Sequence, residues 1–317
     1  MNRVNHSESA LYAADKAIES LHIEQGDITQ YSCDILVCPD NQKLSGTSSV
    51  AKALHFVAGP EMEKATKLLE GCSIGDVKVI PGFQSKAKKI LFTASPKWNA
   101  GIDYEEMYLA KCYDSIMSYA IENGCQTLVI PSIGTGFHHF PKTLAAEIAV
   151  DTIVHHLKRD ASIDVTIVCS SNETFEIYKK AFKIKIVQEF LSFYNPTAYV
   201  CNQLSFKNMA PYYNWMTKLR DLESVPHNYL DYMAKLNADA EALHQNDFEK
   251  SFYLLSKQSQ GWDYRTCLAY IIFLQRKSHW DEGYTHPHDE QCRLGGVRNA
   301  LLRMKELLEQ KETHASV

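Results

Sequence analysis

The sequence predicts an α/β protein with a largely parallel central sheet, followed by a region that is all α-helical. Two observations carry this prediction. In the first half of the chain, short apolar segments alternate with longer segments in which apolar residues recur at helical spacing, a pattern typical of parallel α/β layers. Beyond about residue 190 the strand patterns stop and helical patterns continue. We therefore expect one domain at residues 1–190 and an α-helical accessory domain at residues 191–317.

The elements expected in the first domain follow from apolar spacing and turn residues. Residues 7–20 predict an additional helix before the first strand. Val50, Leu54 and Val57 share one face of the helix expected at residues 48–59. The remaining signals are apolar runs and helical repeats, which predict strands within residues 21–29, 33–41, 88–95, 127–133 and 165–171, and helices at residues 104–123, 144–157 and 173–182.

Composition and charge narrow the class of protein. Of the 317 residues, 45% are hydrophobic and 22% are charged, which is ordinary for a globular protein. The net charge of −5 argues against a mainly electrostatic attraction to nucleic acid or membranes. The longest apolar run, at residues 268–274, is too short to span a bilayer. Nine dispersed cysteines without a C-x-x-C pair indicate reduced thiols. We expect a cytoplasmic protein whose partners include neither a membrane nor unmodified nucleic acid.

Two glycine-containing loops have the composition of anion-binding sites. In NQKLSGTSSVAKAL, residues 41–54, Gly46 and the three hydroxyl residues after it precede a predicted helix, and helix starts favour a bound phosphate. In VIPSIGTGFHHFPK, residues 129–142, Gly134 and Gly136 allow a ligand to approach the backbone closely. Both loops follow predicted strands, so parallel strands would bring them to the sheet edge where ligands bind.

The order and spacing of five segments resemble those of the macro domain family. The similarity extends over residues 23–182, and its segments are GDIT (residues 26–29), the run from DILVCPDN to AGPEM (34–62), CSIGDVKVIPGF (72–83), KILFTASPKW (89–98) and PSIGTGFHHFPKTLAAEIAVDTI (131–153). This resemblance implies a three-layer α/β/α macro-type domain with a mixed, largely parallel sheet. It also implies a cleft that binds ADP-ribose. We expect no cofactor.

The resemblance assigns candidate ligand-binding residues one position at a time. Asp27 matches the acid that accepts a hydrogen bond from the adenine amino group, with the backbone of Ile28 nearby. Asn41 matches an asparagine that lies near the distal ribose. The two phosphate loops supply the other candidates: Gly46, Thr47, Ser48, Ser49 and Val50 in the first, and Ser132, Ile133, Gly134, Thr135, Gly136 and Phe137 in the second.

Several family positions hold other residue types in this chain. Ala51 stands where some hydrolases of the family carry an acid that helps to activate water. The nearest match to the nucleophilic lysine of another branch is His55. Ser170 holds the position of an adenine-stacking aromatic residue, for which Phe175 could substitute. The segment before Asn41, Asn-Ala-Ala in the family, is here Cys38, Pro39 and Asp40.

Hydrolysis of an ADP-ribosyl bond needs water at the distal ribose and a way to spread charge onto the diphosphate, which positioning and backbone donors can supply. The candidate catalytic residues are Asn41, His55 and His138. Imidazole suits proton transfer near neutral pH, and a general base contributes about 10²–10⁴-fold to a rate. The adjacent His138 and His139 also have a plainer interpretation, in which one hydrogen-bonds the loop and the other faces solvent.

We therefore expect binding of ADP-ribose, or of an ADP-ribosylated macromolecule, and hydrolysis by water attack at the distal ribose. Two alternatives remain open. The protein could be a non-catalytic reader of ADP-ribose, which Ala51 favours, or a macro-like scaffold that acts in protein–protein interaction. Binding of ADP-ribose separates the last alternative from the others, and turnover separates an enzyme from a reader.

The C-terminal region supplies no recognisable chemistry. Its segments at residues 259–284 and 295–308 weakly resemble a small helical domain of unknown function found in bacterial proteins. These helices could recognise the modified macromolecule, pack over the cleft or dimerise, so a protein partner stays open. No metal site is expected, because no usual zinc pattern matches the spacing of His279, His286, His288, Asp289 and Cys292.

Overall fold

The computed structural model describes residues 2–193, 210–223, 229–243, 248–280 and 287–310. The expected alternation of strands and helices is confirmed. The strands are β1 (Leu21–Gln25), β2 (Cys33–Asp40), β3 (Val77–Pro81), β4 (Ala87–Ala94), β5 (Thr127–Pro131) and β6 (Asp164–Cys169). The helices are α1 (Asn2–Glu19), α2 (Ser49–Ala58), α3 (Pro60–Leu68), α4 (Glu105–Glu122), α5 (Lys142–Leu157), α6 (Asn172–Phe193), α7 (Ala210–Asp221), α8 (Tyr229–Leu243), α9 (Phe248–Ser256), α10 (Tyr264–Trp280) and α11 (Pro287–Glu309).

Two elements, β3 and α3, were not among those predicted. Only Ile80 of β3 is buried, so this edge strand lacks the continuous apolar run that marks a central strand. Helix α3 is nine residues long and begins at Pro60, directly after the Gly59 that ends α2. Helix α6 continues to Phe193, beyond the expected end at residue 182.

The six strands form one sheet in the order β1-β6-β5-β2-β4-β3. All neighbouring pairs are parallel except β3 with β4, which is antiparallel. The prediction of a mixed, largely parallel sheet is therefore confirmed. Because five strands run in the same direction, their carboxyl ends meet at one edge, and the loops after them converge there.

Helices cover both faces of this sheet, as expected for three layers. On one face, Leu36 of β2 and Phe92 of β4 pack in a buried cluster with Leu54 of α2 and Met62 of α3. Helices α4 and α5 pack against each other, and α4 also contacts β3 and β4. The sheet edge that carries the convergent loops is thus supported from behind by a continuous apolar core.

The chain divides into two compact units. One is Lys16–Phe182 and holds the whole sheet; the other comprises Met1–Asp15 and Lys183–Val317 and is helical where it is described. Within the second unit, Phe190 and Trp215 make an edge contact with ring centroids 4.5 Å apart, and the buried Tyr270 donates its hydroxyl to the carbonyl of Phe252 at 2.8 Å. The boundary expected at residue 190 stays a prediction.

Among the described helices, none combines the length and the apolar content that crossing a membrane requires.

Candidate functional site

A cleft of about 440 Å³ opens at the carboxyl-terminal edge of the sheet. The loops after β1, β2, β4, β5 and β6 all contribute to it. Its lining comprises Gly26, Asp27, Ile28, Pro39, Asp40, Asn41, Thr47, Ser48, Ser49, Val50, Ala53, Ser95, Pro131, Ser132, Gly134, Thr135, Gly136, Phe137, His138, Val168 and Ser170. The structure thus brings together most of the candidates that were assigned from separate parts of the sequence.

The first phosphate loop is held by the carboxylate of Asp40 at the end of β2. This carboxylate accepts the backbone N–H of Gly46 at 2.6 Å, and Asp40 is only 1% exposed. Gly46 has φ +71°, a left-handed conformation that favours glycine. Ser48 then caps α2: its hydroxyl accepts the N–H of Ala51 at 3.0 Å and donates to the carbonyl of Pro39 at 2.7 Å.

Both polar atoms of the Asn41 side-chain amide form hydrogen bonds within this loop. Its Nδ2 donates to the hydroxyl oxygens of Ser45 at 2.5 Å and Thr47 at 2.9 Å, and its Oδ1 accepts the N–H of Lys43 at 2.9 Å. Asn41 lines the cleft, but its polar atoms are engaged in holding the loop in shape. The geometry supports a positioning role for Asn41, and a catalytic role at the ribose stays a prediction.

The start of α2 offers unused hydrogen-bond donors. In the described part of the chain, the backbone N–H groups of Thr47, Ser48, Ser49 and Val50 donate to no protein acceptor. All four residues line the cleft. Free N–H groups at a helix start are an anion-binding arrangement, since the helix dipole adds positive potential at the same place. Phosphate binding by this loop stays a prediction.

The second loop turns tightly after β5. Gly134 has φ +80°, its carbonyl accepts the N–H of Phe140 at 3.0 Å, and the carbonyl of Gly136 accepts the N–H of His139 at 2.9 Å. Thr135 donates its hydroxyl to the carbonyl of Ser132 at 2.9 Å. Across the described residues, the N–H groups of residues 134–138 have no protein acceptor, so this turn presents a second row of donors to the cleft.

Two of the predicted ligand-binding residues do not line the cleft. The side chain of Ile133 is fully buried and its N–H donates to the Tyr113 hydroxyl at 3.3 Å, so this residue anchors the loop to the core. The N–H of Gly46 donates to the carboxylate of Asp40 and is not available to a ligand. Both residues shape their loops, whereas the residues beside them present the free donors. Phe137 lines the cleft and is 76% exposed.

The adenine end of the expected site lies near β1 and β6. Asp27 is exposed, and its Oδ1 accepts both the N–H of Thr29 at 2.9 Å and the Thr29 hydroxyl at 2.8 Å. These hydrogen bonds, the backbone one first, lower the pKa of Asp27, so its carboxylate is charged at neutral pH. Ser170 lines the cleft. Phe175 does not, and its ring lies under the ammonium of Lys179 at 4.9 Å, so the structure does not bring Phe175 to replace the stacking aromatic.

His138 is at the end of the second loop, and its ring lies beside the end of β4. Its Nδ1 is 2.6 Å from the hydroxyl oxygen of Ser95, and its carbonyl accepts the N–H of Trp98 at 2.9 Å. Burial lowers the pKa of His138 below its ordinary 6.5, while the charge of Asp40 acts in the opposite direction. The ring is therefore neutral at pH 7 and can accept a proton.

His55, the other histidine expected to act in catalysis, is not brought to the cleft. It lies on α2 behind the first loop, where a Cβ on Gly46 would come within 3.3 Å of its ring. It lines a separate depression of about 790 Å³ together with Lys52 and Glu63. His55 therefore lies beside the loop backbone and away from the residues that present free N–H groups.

The segment 97–104 braces the second loop from outside. The Trp98 ring packs on Phe140 with centroids 4.7 Å apart, and the Trp98 N–H donates a hydrogen bond to the His138 carbonyl. Glu105 is 2% exposed and accepts three backbone N–H groups, from Asn99 at 2.6 Å, Asp103 at 2.8 Å and Gly101 at 3.2 Å. A single buried carboxylate thus orders the segment that carries Trp98.

Ser95 was not among the candidates from the sequence. The signal that could have found it is its place directly after the β4 strand, because residues after parallel strands gather at the ligand edge.

Cys38 is fully buried, and burial raises the pKa of its thiol well above its usual range. Cys38 therefore packs as a small apolar residue. Among the described residues no cluster of three metal-ligating side chains occurs, and His286 lies outside them.

The fold and the two donor loops are those of the macro domain class, and comparisons with known proteins agree. A sequence model described as Macro domain matches residues 37–149. A Macro domain-containing protein of Lactiplantibacillus plantarum is 36% identical over 163 residues, which are 51% of this chain and 95% of that protein. The chain belongs to the macro domain family.

Two further relatives have informative names. A protein of Citrobacter koseri named O-acetyl-ADP-ribose deacetylase is 32% identical over 165 residues, covering 50% of this chain and 93% of its own length. The macrodomain of Oceanobacillus iheyensis, solved with ADP, has a TM-score of 0.52 at 32% identity and covers 53% of this chain and 92% of its own. A mutant of that macrodomain was solved with ADP-ribose.

Proposed function

We propose that this protein binds ADP-ribose, free or attached to a macromolecule, and hydrolyses a bond at the distal ribose. The observation that supports it best is the pair of unused donor rows at Thr47–Val50 and at residues 134–138, which face one cleft from two loops. Two rows of N–H groups suit a diphosphate, which carries charge on both phosphoryl groups. Asp27 then holds adenine at one end of the cleft.

The opposite end of the cleft carries the groups that hydrolysis needs. His138 is neutral and can take a proton from the attacking water. Asn41 keeps the first loop in register. Esters of the ribose hydroxyls are the first substrates to test, because a relative at 32% identity is named an O-acetyl-ADP-ribose deacetylase.

A reader without catalytic activity is the second candidate. It is favoured by Ala51, which replaces an acid used by some hydrolases of the family, and by the full engagement of the Asn41 amide within its own loop. Turnover of an ADP-ribose ester by the purified protein decides between the two candidates.

Calorimetric titration with ADP-ribose tests the binding site. We expect a Kd in the micromolar range, about −8 kcal/mol. Gly136→Glu should raise the Kd at least about 10-fold, roughly 1.4 kcal/mol, because it adds a negative charge where the diphosphate lies. A Cβ at Gly136 meets nothing within 4 Å, so Gly136→Ala is the matched control and should bind nearly as well as wild type.

Asp27→Ala tests the adenine end in the same titration. Its matched control is Asp160→Ala, since Asp160 also accepts the N–H of a residue two positions on, Ser162, but lies outside the cleft. We expect weaker binding for the first variant only. If wild-type protein gives no heat at millimolar ADP-ribose, the proposed function is wrong, and a macro-like scaffold for protein contacts is the remaining interpretation.

A further inference from the structure

Ser95 and His138 are brought together by the order of the strands in the sheet. Ser95 follows β4 and His138 follows β5, and β2 lies between these two strands. The N–H of Ser95 donates to the carbonyl of Asp40 at the end of β2, at 3.2 Å. The Ser95 hydroxyl lies 2.6 Å from Nδ1 of His138, and both residues line the cleft. A serine and a base in hydrogen-bond contact is the geometry of an activated nucleophile.

We propose that Ser95 is a catalytic nucleophile and His138 its general base, so that acyl esters of the distal ribose are cleaved through an acyl-serine intermediate. The proposal rests on the proposed function, because the cleft must hold the ribose beside these two residues. It adds a covalent route to the hydrolysis that water alone would perform.

The reaction has two steps. In the first, the Ser95 hydroxyl proton moves to Nδ1 of His138 while Oγ forms a bond to the ester carbonyl carbon; the bond from that carbon to the ribose oxygen breaks, and the ribose oxygen takes the proton from His138. In the second, water gives its proton to His138 and attacks the acyl carbon. The bond to Oγ breaks, Ser95 regains its proton, and a carboxylic acid leaves.

The surroundings of the pair suit these proton transfers. Burial keeps the His138 ring neutral at pH 7, and Asp40 favours the imidazolium once it forms. Asp40 is itself buried, and among the described residues its Oδ1 has no hydrogen-bond partner.

The loop that carries His138 has anchors other than the Ser95–His138 contact. The His138 carbonyl already accepts the N–H of Trp98, and the Trp98 ring packs on Phe140 at the other end of the turn. Ser95 is 7% exposed, so its hydroxyl is largely shielded from water. A shielded hydroxyl beside a neutral imidazole, on the wall of the cleft, is the arrangement that proton transfer from serine needs.

The test uses the full chain with O-acetyl-ADP-ribose. We expect Ser95→Ala and His138→Gln to lower kcat at least about 100-fold, while calorimetry shows ADP-ribose affinity within about threefold of wild type. His139→Asn is the matched control: His139 is the adjacent histidine, does not line the cleft, and has φ +54°, a conformation that asparagine tolerates. It should leave kcat unchanged.

Mass spectrometry of acid-quenched reactions detects the intermediate. We expect one acetyl group on Ser95, or on the introduced thiol of Ser95→Cys, which keeps a nucleophile in place if Ser95→Ala disturbs the fold. The proposal is wrong if Ser95→Ala retains kcat within about threefold, or if residue 95 carries no acetyl group in both wild type and Ser95→Cys. It is also wrong if wild type binds ADP-ribose but leaves the ester intact. Loss of ADP-ribose binding by wild type would instead refute the proposed function.

Discussion

The carboxylate of Asp40 accepts the backbone N–H of Gly46 at 2.6 Å, so that the end of the central strand β2 holds the loop that precedes α2. A charge-assisted hydrogen bond of this kind is roughly twice as strong as a neutral one. Its partner, Gly46, sits in a left-handed conformation beside the His55 ring. This bond fixes the position of the loop relative to the sheet, and with it the N–H groups of Thr47, Ser48, Ser49 and Val50.

Asp40→Asn should shift the acid limb of the pH–rate profile for ester hydrolysis to lower pH. The amide oxygen still accepts from Gly46, but the charge that favours protonated His138 is lost. The other groups acting on this ring, Lys97, His139 and the backbone of Pro96, are unchanged. In wild type the limb should lie below pH 6.5, because burial already lowers the His138 pKa. An NMR titration of the His138 ring gives the same pKa without turnover, and an unmoved pKa in the variant would contradict this prediction.

Asn41→Ala should loosen the first loop. Four hydrogen bonds to Ser45, Thr47 and Lys43 are lost together, so backbone exchange at residues 43–48 should quicken and the Kd for ADP-ribose should rise about 10-fold. Hydrogen-exchange mass spectrometry and calorimetry measure the two effects. Asn123→Ala removes a single side-chain hydrogen bond, from the Asn123 amide to the Tyr119 carbonyl, outside the cleft. It should change neither the exchange rate nor the Kd. Fast exchange without weaker binding would mean that loop order is not needed for the ligand.

Glu105→Gln should release the segment that braces His138. A glutamine amide turns an N–H donor toward one of the backbone donors of Asn99, Gly101 or Asp103, which then has no acceptor. We expect hydrogen exchange at residues 99–103 to accelerate on the order of 10-fold. Glu106→Gln changes the exposed neighbour and serves as the control. Equal exchange in the two variants would show that the carboxylate of Glu105 does not order the segment.

Asp34→Asn should affect stability and leave the ligand site intact. Asp34 lies at the start of β2, where Lys88 and the N–H of Gln126 and Thr127 lower its pKa from 3.8 to about 2. A lowered folded-state pKa contributes stability that is present above pH 3.8 and is lost as the pH falls toward 2. Lys88 is largely exposed and Asp34 largely covered, so after allowance for solvent screening the variant should lose about 1 kcal/mol at pH 7.

Urea unfolding at pH 7 and near pH 3 measures this difference. The gap between wild type and Asp34→Asn should narrow in acid, whereas ADP-ribose affinity should match wild type at pH 7, because Asp34 lies at the opposite end of β2 from Asp40. A gap that widens in acid would mean that the carboxylate is not stabilised by its charge.

Much of the site could be predicted from the sequence because its donors are backbone groups. The composition around Gly46 and Gly134 permits tight loops, and a loop after a strand in an α/β fold reaches the ligand edge whatever its side chains are. Ile133 shows where that reasoning ends. One residue in a predicted binding loop turned into the core, because the apolar side chain gains more from burial than from the cleft wall.

The sequence by itself determined the types of most elements, the macro domain resemblance and the two glycine loops, since these depend on local spacing and backbone freedom. The tertiary structure alone decided which histidine meets a nucleophile. His55 lies in the helix after the first loop and turns behind Gly46, whereas His138 meets Ser95 from 43 residues away. That meeting depends on β2 lying between β4 and β5. Strand order arises from non-local pairing and from burial of the whole sheet, which no local pattern in the chain encodes.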